Sequence, residues 1–176
     1  MKINKLDAGT SQLREVIKLF FEKRDPISVH TIAGAASHLL YNLCQHEGVE
    51  NYVRGNPHIR ADKKGQWISL VNEAQNFFKH ADKDPNSDFD FNPKLTELLI
   101  FDACLSVEGL TGSMFSEAQV FTIWFSAKHP DMVLEGSFKD TIQAGLSKGI
   151  DVDDFQLMRM LLDSGHSEIL SHKSPL

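Results

Sequence analysis

The chain has 176 residues, of which 41% are hydrophobic and 24% charged, and its formal net charge is −6. That length suits a single domain able to bury roughly 70% of the surface its unfolded chain exposes, so folding requires neither a disulfide framework nor a structural metal. The composition excludes an intrinsically disordered chain, and the acidic balance places nucleic acid low among the partners to expect, because such proteins usually carry a basic face.

Seven helix-sized segments follow one another. The first is expected from about Ser11 to Lys23, where Leu13, Val16, Ile17, Phe20 and Phe21 recur at the spacing of a core-facing stripe. The second opens at Asp25-Pro26, a capping residue followed by a first-turn proline, and stops at Gly48. Its Ala33-Gly34-Ala35-Ala36-Ser37 run is small enough for another helix to approach closely. A polar stretch from Gly48 to about Lys63 reads as a long loop, and Arg54, Arg60, Lys63 and Lys64 within and after it read as solvated.

The third helix is expected from about Lys64 to Ala81, with Trp67, Leu70, Val71, Ala74, Phe77 and Phe78 on its apolar arc. The fourth, about Pro93 to Leu110, is apolar nearly all round and should be the buried centre of the bundle. The fifth is expected from Ser113 to Lys128, the sixth from near Asp131 to Gly149, and the seventh from Asp151 to Gly165. Residues 167–176 are expected to form a flexible tail. These segments predict an all-α, single-domain bundle of six or seven helices spanning 1–176.

Cys44 and Cys104 lie within apolar helical patterns and lack any metal or redox spacing, which suits buried free thiols in a reducing compartment. No signal-peptide core and no run of membrane-spanning length is visible, so the cytoplasm is the expected location and no membrane contact is expected.

The third segment holds the most unusual pattern. At about 100° per residue, Asn72, Asn76 and His80 stack along one line, and Glu73 lies beside them. Asparagine is a poor helix former, so a line containing two of them suggests partners other than water; a solvated polar face is the plainer reading. The second segment offers His30, Gly34, Ser37, His38 and Tyr41 opposite its apolar stripe, and His30 could meet His80 across a groove. Asp102 stands among leucines in the fourth segment, where a carboxylate needs a partner. Together His30, Asn72, Glu73, Asn76, His80 and Asp102 form the candidate ligand site, suited to a phosphate-like ligand or a divalent metal.

Asp82, Asp84, Asn86 and Asp88 imitate the start of an EF-hand calcium loop. The imitation fails where the loop needs glycine (Ser87 here) and where it needs a bidentate glutamate (Pro93 here), so an acidic connector is the plainer reading. Phosphate-loop, dinucleotide, nucleophile-elbow and zinc-protease motifs are absent from the sequence, and no cofactor is expected.

The strings NEAQNFFKHADKDP and ISVHTIAGAASHLL resemble a group of bacterial helical proteins that have no established activity. A second resemblance, through His80 and the polar Asn76, is to HEPN-type helical domains, many of which dimerise and cleave RNA. The arginine of that family's motif is missing, because no arginine lies between Arg60 and His80. These patterns give a first expectation of a helical protein that works by self-association, as a homodimer, or by partner binding. The alternatives are a ligand, metal or enzymatic site on the second and third helices, or RNA processing.

Overall fold

A computed structural model describes residues 1–164 apart from 83, 134, 135 and 150. Seven α-helices and no strand occur among the described residues, in agreement with the all-α expectation. They are α1 (Lys5–Phe21), α2 (Pro26–Glu47), α3 (Lys64–Lys79), α4 (Lys94–Thr111), α5 (Ser116–Lys128), α6 (Ser137–Ser147) and α7 (Phe155–Ser164). None of the helices among the described residues is long and apolar enough to cross a membrane. The predicted tail, 167–176, lies outside the described residues.

Helix boundaries follow local capping chemistry. α1 starts six residues before the expected Ser11, because the Asn4 side chain accepts the Asp7 backbone N–H at 2.8 Å and satisfies an orphan donor there. α2 is capped as predicted: Asp25 accepts from the Ser28 N–H at 2.8 Å, Pro26 occupies the first turn, and Gly48 ends the helix at φ 72°. α4 ends at Gly112, φ 75°. The turn that follows uses Thr111 Oγ1, which donates to the Ser113 carbonyl at 2.8 Å, and this delays α5 to Ser116. α6 also begins late, at Ser137, after a 3₁₀ turn at Pro130–Met132. Asp154 caps α7 by accepting from the Gln156 and Leu157 N–H groups at 3.0 and 3.1 Å.

α1 packs along α2, and α2 along α4; α5 closes over α1 and α4, while α6 and α7 lean on α5. α4 occupies the centre, with Leu99, Ile100, Ala103, Cys104 and Val107 buried. One end of the bundle is an aromatic cluster. Phe20, Phe21, Phe121, Trp124 and Phe155 lie with ring centroids 5.0–5.8 Å apart, several of them edge to face. Such pairs contribute about 0.5–1.5 kcal/mol each beyond their buried area. The Trp124 indole N–H donates to the Val152 carbonyl at 2.8 Å, so the cluster also fixes the lead-in to α7.

α3 buries Val71, Ala74 and Gln75 and rests on α2. The contact is close because α2 presents Gly34 there. A Cβ built on Gly34 would lie 2.9 Å from Gln75 Cδ, so the small-residue run of α2 does receive another helix. A second aromatic group, Phe77, Phe78, Phe89 and Phe91, fastens the α3–α4 connection.

Candidate functional site

A buried carboxylate organises the interior. Asp102 on α4 is 1% exposed and its oxygens accept four hydrogen bonds. Oδ1 takes the backbone N–H groups of Tyr52 (3.1 Å) and Val53 (2.9 Å). Oδ2 takes the Asn51 side-chain amide (2.9 Å) and the Ser37 hydroxyl (3.4 Å). Asn51 also donates to Ser106 Oγ at 3.0 Å, and its own oxygen accepts from the Gly55 N–H at 2.9 Å. The loop after α2 is therefore gripped from inside by a helix, and the buried carboxylate is satisfied. Burial pushes the Asp102 carboxyl upward from its ordinary value; the bonds from Asn51, Val53 and Tyr52 and the charge of Arg54 oppose that push.

This grip carries Arg54 inward. Arg54 is 3% exposed, not solvated as its sequence neighbourhood predicts; Arg60, Lys63 and Lys64 are exposed. Nη1 donates to Ser37 Oγ, while Nε and Nη2 donate to Asn72 Oδ1 at 3.3 and 3.0 Å. Ser37 thus accepts from Arg54 and donates to Asp102. The Trp67 indole closes the arrangement by donating to the Val53 carbonyl at 2.6 Å.

The six predicted site residues disperse. Asn72 is half-buried and accepts from Arg54, so this asparagine has a partner other than water, as its place in the helix predicts. Glu73 and Asn76 are exposed. His80 is the C-cap of α3, at φ −123° and ψ 105°, so it leaves the helical line; its exposed ring faces Asp82 at 3.8 Å. His30 is 0% exposed, with Nδ1 2.9 Å from Thr96 Oγ1 and the rings of Phe78 and Phe91 beside it. The predicted His30–His80 groove therefore does not form, since one ring is enclosed and the other stands in solvent. Asp102 hydrogen-bonds to neither histidine.

Asp82, Asp84, Asn86 and Asp88 are all exposed. Among the described residues, no group of three or more His, Cys, Asp or Glu side chains is arranged to hold a metal ion. Cys44 and Cys104 are free and buried, and burial pushes both thiols upward from their ordinary value.

What the structure does assemble is the seam between α2 and α3. Arg54 lies beneath it, pinned by Ser37 and Asn72. His38 is exposed one residue after Ser37, and half-buried Tyr41 follows it by nearly one turn. With its amide oriented by its neighbours, the Gln75 oxygen accepts from Lys79 Nζ at 2.6 Å and from the Ala35 N–H at 3.1 Å, which draws Lys79 to the same seam. Partial burial, then the charges of Arg54 and Lys79, lower the His38 pKa from its ordinary value. The second-helix face containing Ser37, His38 and Tyr41 was visible as a pattern; Asn51, Arg54 and Ser106 carried no signal that set them apart.

Comparison with family models, with curated proteins and with solved structures finds no match to this chain.

Proposed function

We propose that this domain works by binding rather than by making or breaking bonds, and that its recognition surface is the α2–α3 seam. One observation carries the reading: a loop arginine is brought beneath the seam and held there by neutral groups, Ser37 and Asn72. A guanidinium fixed in this way has lost the side-chain freedom that a binding residue otherwise loses on meeting its ligand. Three of the groups suited to acid–base chemistry, Asp102, His30 and His80, are engaged elsewhere. Asp102 is saturated by four donors, His30 is enclosed by aromatic rings, and His80 faces Asp82 in solvent. A ribonuclease of the HEPN kind would need His80 beside an arginine.

A thermal-shift screen of metabolite-like ligands tests this reading, run on the wild type and on a His38→Ala/Lys79→Ala variant. Ligands that raise the melting temperature of the wild type and lose their effect in the variant support it. A screen in which every stabilising ligand acts equally on both proteins overturns it.

A second reading is self-association. Tyr52 and Leu70, on the two elements that border Arg54, are 49% and 56% exposed, and a second copy of the chain would cover such side chains. Light scattering across a concentration series, with Leu70→Lys as the disrupting variant, decides it. A strictly monomeric wild type ends this reading.

A further inference from the structure

We propose that the α2–α3 seam binds a phosphate group, with Arg54 as the buried receptor, Lys79 as the second positive charge and His38 at the rim. This rests on the seam being the recognition surface, and it names the chemistry recognised there.

The donor inventory supports it. A guanidinium has five N–H donors in a rigid fork. Arg54 places one each from Nε, Nη1 and Nη2 on protein oxygens, all of them neutral. Two N–H groups are left over, and no carboxylate lies within ion-pair distance of Arg54 among the described residues. Asp102, an acid of the same network, is linked to Arg54 by hydrogen bonds only through Ser37 and already accepts from four donors. Its charge can soften the burial of Arg54 but cannot take up the spare donors.

The charge pattern selects the anion. Lys79 is held to Gln75, a neutral partner, and so brings a second positive charge with no carboxylate in ion-pair contact among the described residues. Two such cations on one seam match a phosphate carrying close to two negative charges better than a singly charged carboxylate. The Arg54–Asn72 bonds are half-buried, so an anionic oxygen that takes the place of the Asn72 amide oxygen meets the guanidinium edge formed by Nε and Nη2. His38 adds a reporter. The positive field of Arg54 and Lys79 disfavours its protonation, and a bound anion would reverse that effect and favour the imidazolium.

The test is a titration of isotope-labelled full-length protein at constant ionic strength, followed by NMR at the Arg54 Nε–H and the His38 ring. Inorganic phosphate, a nucleoside monophosphate and acetate form the three arms. Saturable shifts with phosphate, weak or absent ones with acetate, and a rise of the His38 pKa in bound protein are expected. Tighter binding of the nucleotide than of inorganic phosphate assigns the phosphate to a larger molecule; equal binding assigns it to the free ion. Asn72→Asp places a carboxylate against Arg54 and should weaken binding roughly tenfold or more, the equivalent of one charge-assisted bond. Lys79→Gln, at an exposed position, should weaken it while leaving the fold intact, and serves if the Asn72 variant does not fold. No saturable shift, equal responses to phosphate and acetate, or unchanged binding in Lys79→Gln each overturn the proposal. If the ligand screen above maps other compounds to the seam while phosphate fails here, only the phosphate assignment falls.

Discussion

Asp102 and Arg54 do not touch; the hydroxyl of Ser37 stands between them, accepting from the guanidinium and donating to the carboxylate. The arrangement separates two buried charges by one neutral group and leaves each with its own set of partners. Asp102→Asn should therefore be costly. It removes the charge that Arg54 feels and turns one acceptor into a donor facing other donors. A loss of about 3–5 kcal/mol is expected in urea unfolding, as for other broken buried charge networks. Ser37→Ala should cost less, about 1–3 kcal/mol, because each charge keeps its remaining bonds.

His30 should make the protein acid-sensitive. Burial, followed by the charge of Arg54, lowers its pKa to about 4 from the ordinary 6.5. The unfolded chain then takes up a proton near pH 6.5 that the folded chain refuses until near pH 4. Stability is intact above that window and is lost as pH falls through it, by about 3 kcal/mol in total. Urea midpoints measured from pH 7 to pH 4 on wild type and His30→Gln should show this component only in the wild type. The comparison also removes Asp102, whose shift has the opposite sign and is common to both proteins.

The α2–α3 approach predicts a coupled pair. At Gly34 a Cβ would lie 2.9 Å from Gln75 Cδ, and Gln75 is buried and bonded to Lys79 and to the α2 backbone. Gly34→Val should cost about 1–3 kcal/mol by overpacking. Gln75→Ala in the same chain should recover part of that loss, so the double-mutant cycle should be non-additive.

Both thiols should be silent in the native state. Cys44 and Cys104 are 0% exposed, and burial disfavours the thiolate in each. A thiol reagent should modify them only as fast as the protein opens, and fast modification of either under native conditions would contradict the packing described.

The helices were legible because each rests on nearby residues: the Asp25-Pro26 start, the Gly48 and Gly112 stops, the apolar spacing of α1 and the all-round apolarity of α4. The late starts of α5 and α6 were not, because they depend on turn geometry around Gly112 and Pro130 that periodicity does not report. Among the site residues, Asp102 and Asn72 were detectable as polar groups out of place. Their partners were not. Arg54 looks like the solvated Arg60 six residues later, and only tertiary packing separates a buried guanidinium from an exposed one. The Asn72–Asn76–His80 line breaks for a related reason: helical spacing places all three on one face only while the helix lasts, and at His80 the backbone turns extended.

The loop gripped by Asp102 reverses the usual rule about where a chain can be lengthened. Asn51, Tyr52, Val53 and Arg54 are consecutive, and they use side-chain and backbone atoms to reach α4, α3 and α2. One extra residue within that quartet would shift every later partner out of reach. A few positions on, Pro57 and His58 are exposed, and a short peptide inserted between them should be accommodated without loss of the fold. Within one connector, spelling is fixed to the residue at one end and free at the other.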